Sequence, residues 1–148
     1  MSLLWRTAAW GDESYDGDED HPQHELHPAF EAAGIRHAPC MMSRCPDQDF
    51  DHTDVFDRAE MIHFDHRERG EELPVRHIDL TKPVYGFEPT ADMHQMRHYQ
   101  RRGSAKLPVV FQHQGQQYIM DGHHRVAAAM RRGDASMPVR HIDLDNEH

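Results

Sequence analysis

Asp121-Gly122-His123-His124-Arg125 gathers a carboxylate, two imidazoles and a guanidinium within five residues. It lies between the apolar run Tyr118-Ile119-Met120 and the small-residue stretch Ala127-Ala128-Ala129. Side chains of these types move protons and bind anions or metal ions. The glycine permits a tight turn and a close approach of a ligand to the backbone. A helix starting near residue 123 would begin with amides that lack internal partners, and with its dipole it would favour a phosphate. Arg125 would fall in the first turn and lean back toward the same anion. A plainer reading makes Asp121 an N-cap, Gly122 a turn former and Arg125 a surface or ion-paired group.

Two further sets carry chemistry. His37, Cys40, Cys45 and His52 are thiol and imidazole groups of the kind that hold a structural zinc, and a loop-rich segment would gain from such a clip. Their spacing is irregular, so two free thiols are the alternative. His21, His24 and His27 recur every third residue, but Pro22 and Pro28 prevent one helix from aligning them, and a polar tail is the simpler reading. Met41-Met42, Met93 and Met96 read as packing residues. The chain carries no Walker loop, dinucleotide fingerprint or serine-hydrolase elbow.

The elements that would position these groups can be read from periodicity and punctuation. Residues 73–80 alternate as a strand, 81–89 form a connection with two prolines, and 90–103 form a helix with Thr90 as N-cap and Gly103 as stop. Residues 107–120 read as a hairpin turning near Gln114-Gly115, 123–132 as a helix closed by Gly133, and 137–144 as a last strand. Upstream, 11–28 are polar and extended, 29–35 make a helical turn ended by Gly34, and 37–54 are loop-like. A helix over 54–70 has Asp54 as N-cap and Gly70 after its end. The heptapeptide Pro-Val-Arg-His-Ile-Asp-Leu occurs at 74–80 and again at 138–144 with different flanks. Either a good strand sequence is reused by chance, or both copies occupy similar places on one sheet.

Bulk composition bounds the remaining choices. The chain has 148 residues with 37% hydrophobic residues and a mean hydropathy of -0.89, which predicts one modest core with part of the chain poorly ordered. All of the net charge of -10 belongs to residues 1–70, which hold 6 Lys+Arg against 16 Asp+Glu; residues 71–148 hold 10 of each. An acidic half repels nucleic-acid phosphate, while a neutral half tolerates a local basic patch. Arg97, Arg101, Arg102, Lys106, Arg131 and Arg132 could line such a patch, or could simply complement two helix C-termini. Fifteen histidines are a high count, and with only two cysteines a disulfide framework is not expected. There is no apolar run long enough to span a membrane and no signal peptide, so a cytoplasmic location is the expectation.

The stretch from Tyr118 to Leu144 resembles the ParB/sulfiredoxin superfamily. Its hallmark is a strand, then a Gly-x-x-Arg-x-x-Ala box opening a helix, a glycine stop and a short Pro-Val strand; the box here runs from Gly122 to Ala128. The likeness covers about residues 73–145 and is nearest to small bacteriophage ParB-like nuclease domain proteins. It implies an α+β fold with a small mixed sheet and packed helices over 71–148, preceded by an acidic, His-rich, partly irregular segment over 1–70. It also implies nucleotide phosphate binding, of CTP or ATP, at Gly122, His123, His124 and Arg125. Sulfiredoxin chemistry needs a cysteine where this chain has His123. Partition proteins continue into a helix-turn-helix domain, and this sequence stops at His148. A related kinase uses a loop carboxylate where this sequence has Glu88, making it a candidate general base.

Three functions follow as expectations. The first is a nuclease or nucleotide hydrolase with Glu88, Asp121, His123 and His124 as catalytic candidates, with magnesium or another metal at Asp121, His123 or His124 activating water. The second is a nucleotide-gated or DNA-associated binding protein without catalysis. The third is a phage effector that binds a host protein through its acidic segment and uses the fold as a scaffold.

Overall fold

The computed structural model describes residues 25–38 and 55–146. Among them, strands β1 (Arg36–His37), β2 (Val75–Asp79), β3 (Val84–Gly86), β4 (Val109–His113), β5 (Gln116–Asp121) and β6 (Ser136–Asp143) form one sheet in the order β1-β3-β5-β4-β6-β2. The helices are α1 (Pro28–Ala33), α2 (Val55–Glu68), α3 (Met93–Arg102) and α4 (His123–Arg132). The sheet is mixed: β1, β3 and β5 run parallel, as do β4 and β6, while β4–β5 and β2–β6 are antiparallel. The architecture is therefore α+β.

Strand alternation divides the core into two layers. Ile78, Val110, Ile119 and Val139 face one way and meet Phe30 of α1, Met96 of α3, and Val126, Ala127 and Ala129 of α4. Val109, Phe111, Tyr118, Met120 and Ile142 face the other way and meet Val55, Phe56 and Ala59 of α2. The alanines let α4 lie close on the sheet. Phe30 and Phe56 come from the acidic half and are fully buried. The described part of residues 1–70 thus shares one core with the rest.

Several local expectations are met by the structure. Gln114 and Gly115 turn the β4–β5 hairpin with φ of 52° and 77°. Positive φ at both positions suits the right-handed twist of the strands they join. The α4 helix spans the expected residues, and Gly133 closes it with φ of 86°.

Other expectations need correcting. Asp92, not Thr90, caps α3, accepting from the Gln95 amide at 3.1 Å; the Thr90 hydroxyl is engaged by the Glu88 carboxylate at 2.9 Å. The connection read over 81–89 contains β3, and the loop-like stretch beginning at 37 overlaps β1. Both strands are too short to show a period of two, and pairing with each other and with β5 defines them. The two copies of the heptapeptide lie side by side, Val75 opposite Arg140 and Arg76 opposite Val139. They are not equivalent, because β2 is an edge strand and β6 an interior one.

Candidate functional site

The helix start of α4 is shaped first by its glycine. Gly122 has a φ of 96°, and a Cβ there would lie 2.7 Å from the Pro108 Cβ and 2.9 Å from its Cα. The residue is needed so that the chain leading into β4 can cross close to the turn. The Arg125 and Val126 amides bond back to the Gly122 carbonyl, and among the described residues no side chain caps the helix.

The two histidines point into the protein. His123 is buried, and its Nε2 accepts the Phe87 amide at 3.2 Å. Its ring lies 5.7 Å from that of Phe30 and 6.3 Å from that of Phe87. Burial, with His124 beside it, pushes the His123 pKa down to about 3, so the ring is neutral at ordinary pH. His124 accepts the Asp92 amide through its Nε2 at 2.8 Å and meets the edge of Phe30. Burial lowers its pKa, opposed by Asp92 and aided by Arg125. Each imidazole therefore ties α4 to a neighbouring loop, through the nitrogen that would otherwise be open to a proton or metal.

Arg125 turns the other way. Its Nε donates to the Ser104 hydroxyl at 2.8 Å, and its guanidinium carbon lies 4.8 Å from the centre of the Tyr99 ring. Ser104 in turn donates to the Lys106 carbonyl at 3.0 Å, so its oxygen presents a lone pair to the arginine. The terminal guanidinium nitrogens make no hydrogen bond within the described residues. Arg125 lines a cavity of about 210 Å³ whose walls also include Tyr99, Ser104, Lys106, Pro108, Arg132 and Met137. Arg132 is already committed: it donates to the Tyr99 and Gln100 carbonyls at the end of α3 and pairs with Asp134 at 2.8 Å. Among the described residues lining the cavity, Arg125 and Lys106 are left as the cations available to a ligand.

Glu88 and Asp121 stand at the C-terminal ends of neighbouring parallel strands, β3 and β5. Glu88 is half-buried and accepts from the Thr90 hydroxyl and amide. Burial pushes its pKa up, the Thr90 bonds oppose this, and the Asp121 charge adds to the rise. A carboxylate so placed holds a proton more readily than usual, as a general base or acid requires.

Among the described residues, no group of three or more His, Cys, Asp or Glu side chains is arranged to hold a metal ion. His37 lies in β1, exposed, while Cys40, Cys45 and His52 fall outside the described residues. Reasoning from sequence missed Ser104 and Tyr99, which orient Arg125, and Phe30 and Asp92, which hold the histidines. Gly103-Ser104 carries no motif, and Phe30 lies some 90 positions from its partners, so local pattern could not link them. No helix among the described residues is long and apolar enough to cross a membrane. Compared with known proteins, the chain matches no family model, no curated protein and no solved structure.

Proposed function

We propose that the protein binds the phosphate of a nucleotide, CTP or ATP, in the cavity between α3, α4 and the start of β6. The observation that carries this reading is Arg125. Its Nε and guanidinium plane are held by Ser104 and Tyr99, its terminal nitrogens make no hydrogen bond among the described residues, and the residue lines the cavity together with Lys106. A guanidinium fixed in this way loses little freedom on meeting a phosphate and can donate two parallel hydrogen bonds. Apolar walls from Leu107, Pro108 and Met137 suit the less polar part of such a ligand.

A thermal-shift series with CTP, ATP and inorganic phosphate tests the assignment. Saturating nucleotide at about 100 times its Kd adds about 2.7 kcal/mol of stability and raises Tm by several degrees. Arg125→Ala removes the shift while leaving the unliganded Tm close to that of the parent. Equal shifts in parent and variant, or none in the parent, sink the reading.

A hydrolytic reading, nuclease or nucleotide phosphohydrolase, has its own support in the raised pKa of Glu88 opposite Asp121. In it Glu88 takes the proton from the attacking water. Magnesium, which prefers oxygen ligands, would suit Asp121 better than the two histidines. Glu88→Gln then abolishes product formation while the nucleotide-dependent thermal shift survives.

A further inference from the structure

A second cavity lies at the opposite end of β5 from the α4 start. It encloses about 260 Å³, and its lining includes Arg76, Asp79, Lys82, Gln112, Gln117 and His141. Gln117 is four residues before Asp121, roughly 13 Å along the strand. By alternation Gln112, Gln117 and His141 share the face of Val110, Ile119 and Val139, one step beyond the apolar contact with the helices.

The polar wall has a fixed direction. The Asp145 carboxylate only accepts, and it takes the Gln112 side-chain amide at 2.9 Å together with the Gln114 and Gly115 backbone amides. The Gln112 carbonyl oxygen must then face Gln117, whose amide donates to it at 3.1 Å. The Gln117 oxygen is left to face His141 Nε2 at 3.2 Å. His141 therefore carries its hydrogen on Nε2, and Nδ1 is a bare acceptor. The residue is 5% exposed, and Nδ1 is sealed from solvent with no hydrogen-bond partner among the described residues. A buried polar atom left this way costs roughly 1–3 kcal/mol.

The rim is cationic. The side chains of Arg76 and Lys82 make no hydrogen bond or ion pair among the described residues, although the Lys82 charge acts on Asp79. Asp79, the carboxylate on the same rim, is turned back on Thr81, accepting its amide at 2.9 Å and its hydroxyl as well. Two cationic side chains above a wall of amides fit a ligand that is anionic at one end and hydroxylated at the other.

We propose that this cavity is a second ligand site, taking a hydroxylated phosphate monoester of the sugar-phosphate class. Arg76 and Lys82 meet the phosphate, the remaining amide hydrogens and lone pairs of Gln112 and Gln117 meet hydroxyls, and His141 backs this wall by holding the Gln117 carbonyl oxygen. The site shares no residue with the Arg125 cavity and stands or falls separately from it.

Calorimetric titration with ribose 5-phosphate, on the parent chain and on Arg76→Ala, Lys82→Met and Arg125→Ala, decides the matter. The parent binds, Arg125→Ala binds equally well, and Arg76→Ala and Lys82→Met each weaken binding about tenfold or more, the loss of one charge-assisted hydrogen bond. Inorganic phosphate binds more weakly than the sugar phosphate because it lacks the carbon-borne hydroxyls. No binding by the parent overturns the proposal. So does binding lost in Arg125→Ala but kept in Arg76→Ala, which assigns the ligand to the other cavity. Equal affinity for inorganic phosphate removes the sugar from the assignment, and binding of a single-stranded oligonucleotide but not of ribose 5-phosphate replaces the small molecule by a nucleic acid.

Discussion

At the scale of single residues, the adjacent histidines matter more to the fold than their chemistry suggests. Each gives its Nε2 lone pair to a backbone amide from a loop that no strand or helix partner satisfies. Protonation removes that lone pair and places charge against Phe30 and Phe87. In the unfolded chain the His123 ring titrates near 6.5, and in the fold near 3. Its contribution is therefore complete above pH 6.5, and it is lost progressively as pH falls from 6.5 toward 3, because the unfolded chain takes the proton first. Between pH 6.5 and pH 5 this one ring is expected to remove about 2 kcal/mol of stability. His124 and His141, both lowered by burial, act with the same sign. Urea unfolding at pH 5 and pH 7.5, for the parent and for His123→Gln, checks this. The variant is less stable at pH 7.5 but loses less on acidification, and equal slopes for the two would refute the role given to the ring. The sequence announced that these residues were unusual. It could not disclose that their partners were amides, since Phe87 and Asp92 lie more than 30 positions away.

At the scale of elements, the strand–glycine–helix unit was legible because local chemistry dictates it. Alanines favour a helix, Gly133 ends one, and Gln114-Gly115 turns a hairpin. What the local pattern left open was the purpose of Gly122. It reads as a place for a ligand to approach, and in the structure the approaching group is Pro108. Gly122→Ala is expected to cost at least about 1–3 kcal/mol from the left-handed φ alone, with further loss from the contact with the Pro108 backbone. Denaturant unfolding measures it, and an unchanged midpoint would contradict the close crossing. The cap of α3 gives a smaller, separate effect. Asp92→Ala removes the acceptor for the Gln95 amide and should cost about 1 kcal/mol, whereas Thr90→Val should leave the helix cap intact. Short β1 and β3 escaped notice for the opposite reason: they exist through parallel pairing, which carries no local signature.

At the scale of the whole molecule, the charge asymmetry suggests two separate parts, and the core joins them. Leu26, Phe30 and Ile35 from the acidic half pack with Ile78, Val110, Ile119 and Val126. Phe30 also contacts both histidine rings at the α4 start, so part of the acidic half supports the candidate site itself. The sequence hid this because composition averages over the segment, and one buried phenylalanine barely alters a polar stretch. A chain beginning at residue 39 would lose α1, β1 and these contacts, leaving apolar surface on α4 and the sheet exposed. Phe30→Ala is the milder form of the same test, with an expected loss of about 3–5 kcal/mol. Circular dichroism melts of the parent, Phe30→Ala and the shortened chain should show a falling Tm in that order, with the last losing its cooperative transition. The effect on ligand follows the geometry: Phe30 touches the histidines and not the Arg125 cavity, so Phe30→Ala that is still folded at low temperature should keep its nucleotide-dependent shift. A shift lost while the fold persists would mean that the inner face of the helix start, rather than the outer one, receives the phosphate.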